Sequence, residues 1–331
     1  MRRSAPWAET YDGGSLQREE LLFRGMAAEL LKHHLQSLDP SIVRQARFMH
    51  AKTVAGVTNA SLIIDRLVPA ELAVGHFQPG DSLPVLLRFS NASAAPQGDP
   101  APDMRGLALR IDLPSGGVHD LLLANAPTSF ARDARQFFVV ALALMGDRDN
   151  WLAKLVAEIG VPESRRIAAY LRSRLKLCPS LALENFWSGG PYLWGENPVR
   201  FELRPIRSES DATPLAPMRG EALSVDLATR LARDDLSYRL AVQNYVDARR
   251  TPIEDASVDW KSSVSPPVEI ATLLIPRQDL FSAQGRLALS QVQEQAFSPW
   301  NAPASFRPLG GLNRLRRLAY AMSADMRAGE R

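Results

Sequence analysis

"RQARFMHAKTVAG", from Arg44 to Gly56, holds the residue on which the reading of this chain turns. His50 stands between Arg47, three residues before it, and Lys52, two after it. The text that follows alternates apolar and polar residues as a half-buried strand does. Taken alone, a histidine at the start of a strand is a structural hydrogen-bonding group. With five histidines and one cysteine in the whole chain, however, His50 is one of few groups available for acid–base chemistry.

Composition sets the outer bounds. At 331 residues, 46% hydrophobic and 23% charged, the chain has the profile of a soluble globular protein able to bury a sizeable core. No apolar run approaches the roughly 18 residues of a membrane span. The opening "MRRSAPWAETYDGG" has two arginines but no apolar segment behind them, so no secretory signal is expected. Cys178 alone can form neither an intrachain disulfide nor a thiolate metal site, which fits a cytoplasmic location. A net charge of +3 with scattered arginines gives no stripe for nucleic acid.

Helical periodicity runs from about 15 to 38, with Leu21, Leu22, Met26, Leu30 and Leu31 as its apolar positions. A second short helix or turn, capped by Asp39, is expected up to residue 48, and His33 and His34 are expected at the helix surface or near its end. Between residues 50 and 125 four alternating runs with hairpin-length spacing predict antiparallel strands. Residues 134–183 read as helices jointed at Gly and Pro. Strands return at "NPVRFELRPIR", "LSYRLAVQNYVD" and "PVEIATLLIP" within 197–276, and residues 311–328 are helical. These blocks fit one domain with a helical insertion or two domains; the residues favour neither.

Four stretches combine unusual residues. The first surrounds His50. In "RFSNAS", Arg88 and Ser90 share one side of a strand, and an arginine on the buried side needs an anion. In "LLLANAPTSFARDARQF" an apolar strand runs into Asn125, followed by Phe130 and Phe137. In the tail, Arg316, Tyr320 and Arg327 are spaced by four and seven, which puts all three on one helical face. Spacing alone implies an α+β protein that binds an anion.

Together and in this order, the stretches resemble the catalase superfamily. "RFMHAK" is similar to that family's distal-histidine segment, and "LRFS", "DMRGLA" and "NAPTSFARD" match the motifs that follow it. Arg316, Tyr320 and Arg327 match its heme-tyrosine helix. The resemblance is firmest over Arg47–Phe137 and Phe297–Arg327. It implies an eight-stranded antiparallel β-barrel with helical insertions and a C-terminal heme-ligand helix, as a single catalase-core domain over residues 1–331. In that plan residues 15–48 form N-terminal helices, 50–125 and 197–276 the two halves of the barrel, and 134–183 the insertion.

The resemblance also implies heme b (iron protoporphyrin IX) as cofactor, with Tyr320 as the axial iron ligand held by Arg316. His50 would be the acid–base group, Ser90 would orient it and Asn125 would hold the second peroxide oxygen. Arg47, Arg88 and Arg327 match the propionate-binding positions, and Phe137 and Phe130 the porphyrin-packing ones. Arg105 is expected to support the fold, and Trp187, Tyr192, Trp194 and Trp260 to be core aromatics. Two positions depart from the family: Met49 precedes the distal histidine where valine is usual, and Ser129 replaces one aromatic of a phenylalanine pair.

Because the sequence stops soon after the tyrosine helix, it looks like the small catalase-related hemoproteins, a group of peroxidases and allene oxide synthase-type enzymes. The expected activity is reduction of H2O2 or an organic hydroperoxide through a ferryl intermediate, with a small organic electron donor and weak catalase turnover. The alternatives are hydroperoxide rearrangement and non-catalytic heme binding. A homodimer is expected.

Overall fold

A computed structural model of the chain describes residues 6–37, 47–145, 150–175, 177–207 and 219–328. The short helix or turn expected around Asp39 falls on residues 38–46, outside the described residues. Among the described residues six α-helices and nine strands run in the order α1(Leu16–Ser37), β1(Thr53–Ile64), β2(Ser82–Asn91), β3(Arg105–Asp112), β4(Val118–Ala124), α2(Ala134–Met145), α3(Trp151–Arg174), β5(Phe186–Trp187), β6(Tyr192–Trp194), β7(Asn197–Pro205), α4(Ala222–Leu231), β8(Leu236–Asn244), β9(Val268–Ile275), α5(Ala283–Glu294) and α6(Gly311–Ala328).

The strands close on themselves. Antiparallel pairing runs β5-β4-β3-β2-β1-β9-β8-β7, and β5 pairs back onto β7, so eight strands form a barrel with no free edge. β6 adds to β7 outside the ring. Alternation fills the interior. On β2, Leu83, Val85, Leu87 and Phe89 enter the barrel core with Leu107, Leu109 and Ile111 of β3, which leaves Leu86, Arg88 and Ser90 on the outer face. Hairpin-length spacing holds only for β3 and β4, joined by residues 113–117; residues 65–81 and 92–104 make the two earlier connections much longer.

Helices cover that outer face. On the buried stripe of α1, Phe23, Met26 and Ala27 pack with Leu315 of α6 and Ala134 of α2, and Leu30 packs with Phe48 and Ala141 of α2. Leu21, expected on the buried side, is exposed. His34 lies one turn beyond Leu30 on the same stripe and is completely buried, not at the surface as expected, with its ring edge-on to Phe48; His33 pairs with Glu29 on the outer side. Within α3, Gly160 takes a left-handed φ of 77° two residues before Pro162, the joint that the Gly and Pro predict. α5 lies so close to β1 that a Cβ on Gly56 would come 2.9 Å from the backbone of Leu289.

Ion pairs lock α6 in place. Arg314 donates to Glu19 of α1 at 2.5 Å and to Glu9 at 2.7 Å, with Glu254 at 3.3 Å. Both Arg314 and Glu19 are buried, so removing Arg314 would strand the Glu19 carboxylate, and removing Glu19 would leave Arg314 to Glu9 and Glu254.

Candidate functional site

The outer face of β2–β4, α6 and the segment before β1 enclose a cavity of about 230 Å³. His50 reaches it from a bend rather than from a strand. Its φ of 57° is the left-handed region, unusual for a residue with a side chain, and such strain persists only where neighbours over-determine it. Here they do. The His50 N–H donates to Ala92 O at 3.1 Å, its carbonyl accepts Arg88 Nη2 at 2.6 Å, and Nδ1 lies 3.1 Å from Ser90 Oγ. Gly106 completes the cradle, because a Cβ there would sit 2.6 Å from Nδ1 and 2.7 Å from Ser90 Oγ. Only glycine leaves room for this imidazole. Sequence reasoning placed Gly106 in a family motif but gave it no role.

The surroundings keep His50 neutral. Burial, then the positive charges of Arg88, Arg316 and Arg47, hold its pKa down to about 3. With Nδ1 engaged by Ser90, Nε2 has no hydrogen-bond partner among the described residues, and the exposed surface of the ring belongs to the cavity. In the tautomer whose Nδ1–H donates to Ser90 Oγ, Nε2 faces the cavity as a proton acceptor.

Four arginines line the same cavity: Arg47, Arg88, Arg316 and Arg327. No acid is among its described lining residues. Burial followed by mutual repulsion with Arg88 and Arg327 pushes Arg47 down to about 8, and burial does most of the same to Arg88, at about 10. Arg47 is anchored through Nη2 to the carbonyls of Gln293 and Gln295, and Arg88 through Nε to Thr53 Oγ1. Carbonyls and hydroxyls orient a guanidinium without cancelling its charge. The buried guanidiniums of Arg47 and Arg88, which neighbour carbonyls and a hydroxyl rather than a carboxylate, suit an occupant carrying negative charge.

On α6 the predicted face is the one that turns inward. Arg316, Tyr320 and Arg327 all line the cavity, and Arg316 Nη2 lies 3.5 Å from the Tyr320 hydroxyl. The ring of Tyr320 packs among Leu86, Ala108, Leu122, Val292 and Phe297. Phe130 and Phe137 stack at 5.5 Å with their planes 17° apart and form part of the wall. Met49 and Ser129 also line it.

Asn125 is the exception. Its Oδ1 accepts the Arg105 N–H at 2.7 Å and its Nδ2 donates to Glu184 at 3.2 Å. One N–H and one lone pair of the amide are committed at the end of β4, and Asn125 is not among the lining residues, although Ala124 and Ala126 beside it are. Arg105 is fully buried and donates to Asn91 and to the carbonyls of Asp99 and Ala101, the supporting role expected of it. Of the four aromatics expected in the core, Tyr192, Trp194 and Trp260 are buried, whereas Trp187 faces the cavity.

One cavity thus brings together a phenol beside an arginine, further guanidiniums, two stacked phenylalanines and an imidazole. Comparison with known proteins agrees with this reading of the fold. No family model matches the chain. It is 25% identical over 262 residues to a catalase-related peroxidase of Mycolicibacterium paratuberculosis, covering 76% of this chain and 80% of that protein. Among solved structures it is similar to a fungal catalase (TM-score 0.68, 19% identity) and to catalase A of Saccharomyces cerevisiae (TM-score 0.67, 17% identity). Each likeness covers 98% of this chain, which spans about two thirds of those catalases, 66% and 68% of their lengths.

Proposed function

We propose that this chain, a protein of catalase fold allied to the catalase superfamily, is a heme-dependent peroxidase. It would reduce H2O2 or an organic hydroperoxide at the expense of a small organic donor. The observation that carries the proposal is the meeting of the His50–Ser90 pair and the Arg316–Tyr320 pair in one cation-lined cavity.

Heme b fits the residues present. Tyr320 would ligate its iron, Arg316 would stabilise the phenolate by a charge-assisted hydrogen bond, and Arg47, Arg88 and Arg327 would take the propionates. Bound heme would supply the two-electron redox chemistry at its iron. The protein's own part is proton handling and orientation. His50 Nε2 would accept the hydroperoxide proton and return it to the departing oxygen, so that the product leaves as water or alcohol. Ser90 and Gly106 hold the imidazole at its angle. Since His50 is neutral far below neutral pH, its base form is available throughout the working range. The two carbonyls on Arg47 Nη2 hold its guanidinium in place. Asn125, which gives one N–H to Glu184 and one lone pair to the Arg105 N–H, would hold the second peroxide oxygen through the remaining N–H of its amide.

The test is kinetic. Heme-reconstituted protein should oxidise a phenolic donor with peroxide, and His50→Ala should cut that rate by roughly 10²–10⁴, the usual worth of a positioned acid–base group, while heme remains bound. If the His50→Ala protein kept the full peroxide rate, the assignment of His50 would be wrong.

A further inference from the structure

Asn313 lies on α6, three residues before Arg316, and is almost completely buried. Its Nδ2 donates twice, to Pro191 O at 3.1 Å and to Leu309 O at 3.0 Å. An amide NH2 has two hydrogens, so both are used. Oδ1 is thereby fixed in direction, and it accepts Arg316 Nη1 at 3.0 Å. The amide cannot flip without turning its donors toward a guanidinium, which has no acceptor. Gly190 backs the arrangement, since a Cβ there would come 3.0 Å from Asn313 Nδ2. Tyr192, fully buried next to Pro191, lies beside the same guanidinium. The segment 190–192 outside the barrel is thus joined through Asn313 to Arg316, and through Arg316 to Tyr320.

We propose that Asn313 is a positioning residue for Tyr320, acting through Arg316: it sets the angle at which the guanidinium meets the phenol. This rests on the reading of Tyr320 as the heme ligand. The guanidinium draws electron density from a ligating phenolate, so releasing it makes the phenolate a stronger donor, which favours ferric iron. Asn313→Leu, which keeps the branched heavy-atom skeleton but not the amide, should lower the Fe(III)/Fe(II) midpoint potential of the reconstituted protein and shift its phenolate-to-iron charge-transfer band. Gly190→Ala, which crowds the amide without removing it, should move both readings in the same direction by less.

The decisive comparison is a double-mutant cycle with Arg316→Lys. If Asn313 acts through Arg316, adding Asn313→Leu to Arg316→Lys produces little further shift in potential. Fully additive shifts, or no shift from Asn313→Leu and Gly190→Ala in the wild-type background, overturn the proposal. Tyr320→Phe separates this from failure of the ligand assignment. If that variant keeps the wild-type spectrum, Tyr320 is not the ligand and the proposal falls with it. If it loses the charge-transfer band while Asn313→Leu changes nothing, the role of Asn313 alone is refuted.

Discussion

At the scale of single residues, His50 owes its chemistry to its neighbours. A histidine at the start of a strand is ordinary; one held at φ 57° with Nδ1 on Ser90 and Nε2 open to a cavity is not. Gly106 is the least conspicuous part of that arrangement. Gly106→Ala should leave the heme bound and lower the peroxide rate at least about tenfold, because the imidazole must move or Ser90 must let go. Stopped-flow mixing with peroxide checks this, and an unchanged rate would mean that the cradle does not set the imidazole's position. The sequence carried the identity of this residue but not its reason: a glycine on a strand reads as a weak point or a bulge, and only the packed pair of β2 and β3 reveals what its missing side chain makes room for. Asn125 has partners that its local sequence does not show. Its place after a strand was legible, but Arg105 and Glu184, which bond its amide, lie 20 and 59 residues away.

At the scale of elements, the long periodic segments were legible and the short or non-local ones were not. α1 and α6 follow from their apolar spacing, and seven of the eight ring strands from alternation. β5 has two residues and exists only because β4 and β7 flank it; no local pattern encodes such a strand. α4 and α5 were missed as well, within stretches where strands drew the attention. The buried stripe of α1 runs through His34 for a tertiary reason, the presence of Phe48 opposite. Joining α1 to α6 is the work of Arg314 and Glu19. Glu19→Ala leaves Arg314 to Glu9 and Glu254 alone, and should cost about 3 kcal/mol of stability, the lower end for breaking a buried pair. Urea unfolding of the two proteins measures it. A loss below about 0.5 kcal/mol would show that the remaining acids suffice. Heme uptake should weaken in the same variant, since α6 carries Arg316, Tyr320 and Arg327.

At the scale of the whole molecule, the barrel supplies a rigid outer face and the helices supply the lid on it, with the cavity between. Stability should respond to acid in a defined sense. His50 and His119 are held down to about 3, and His76, 3.1 Å from His119, to about 4, all chiefly by burial. Below the ordinary histidine pKa of 6.5 the unfolded chain therefore binds protons that the folded chain refuses. Stability from these groups is full above about pH 6.5 and falls as the pH drops toward 4, by up to about 1.4 kcal/mol per pH unit for each fully buried histidine. His119→Leu should flatten that dependence in denaturant titrations between pH 7 and 4; an unchanged slope would mean that His119 is not buried in its neutral form. No helix among the described residues is long and apolar enough to cross a membrane. The central claim is that the cation-lined cavity between barrel and α6 holds heme through Tyr320. The ultraviolet–visible spectrum of purified protein titrated with ferric heme, beside Tyr320→Phe, tests it most directly. The expected result is one heme per chain with a high-spin ferric phenolate signature that the variant loses. No Soret band on reconstitution, or the same spectrum from both proteins, would contradict it.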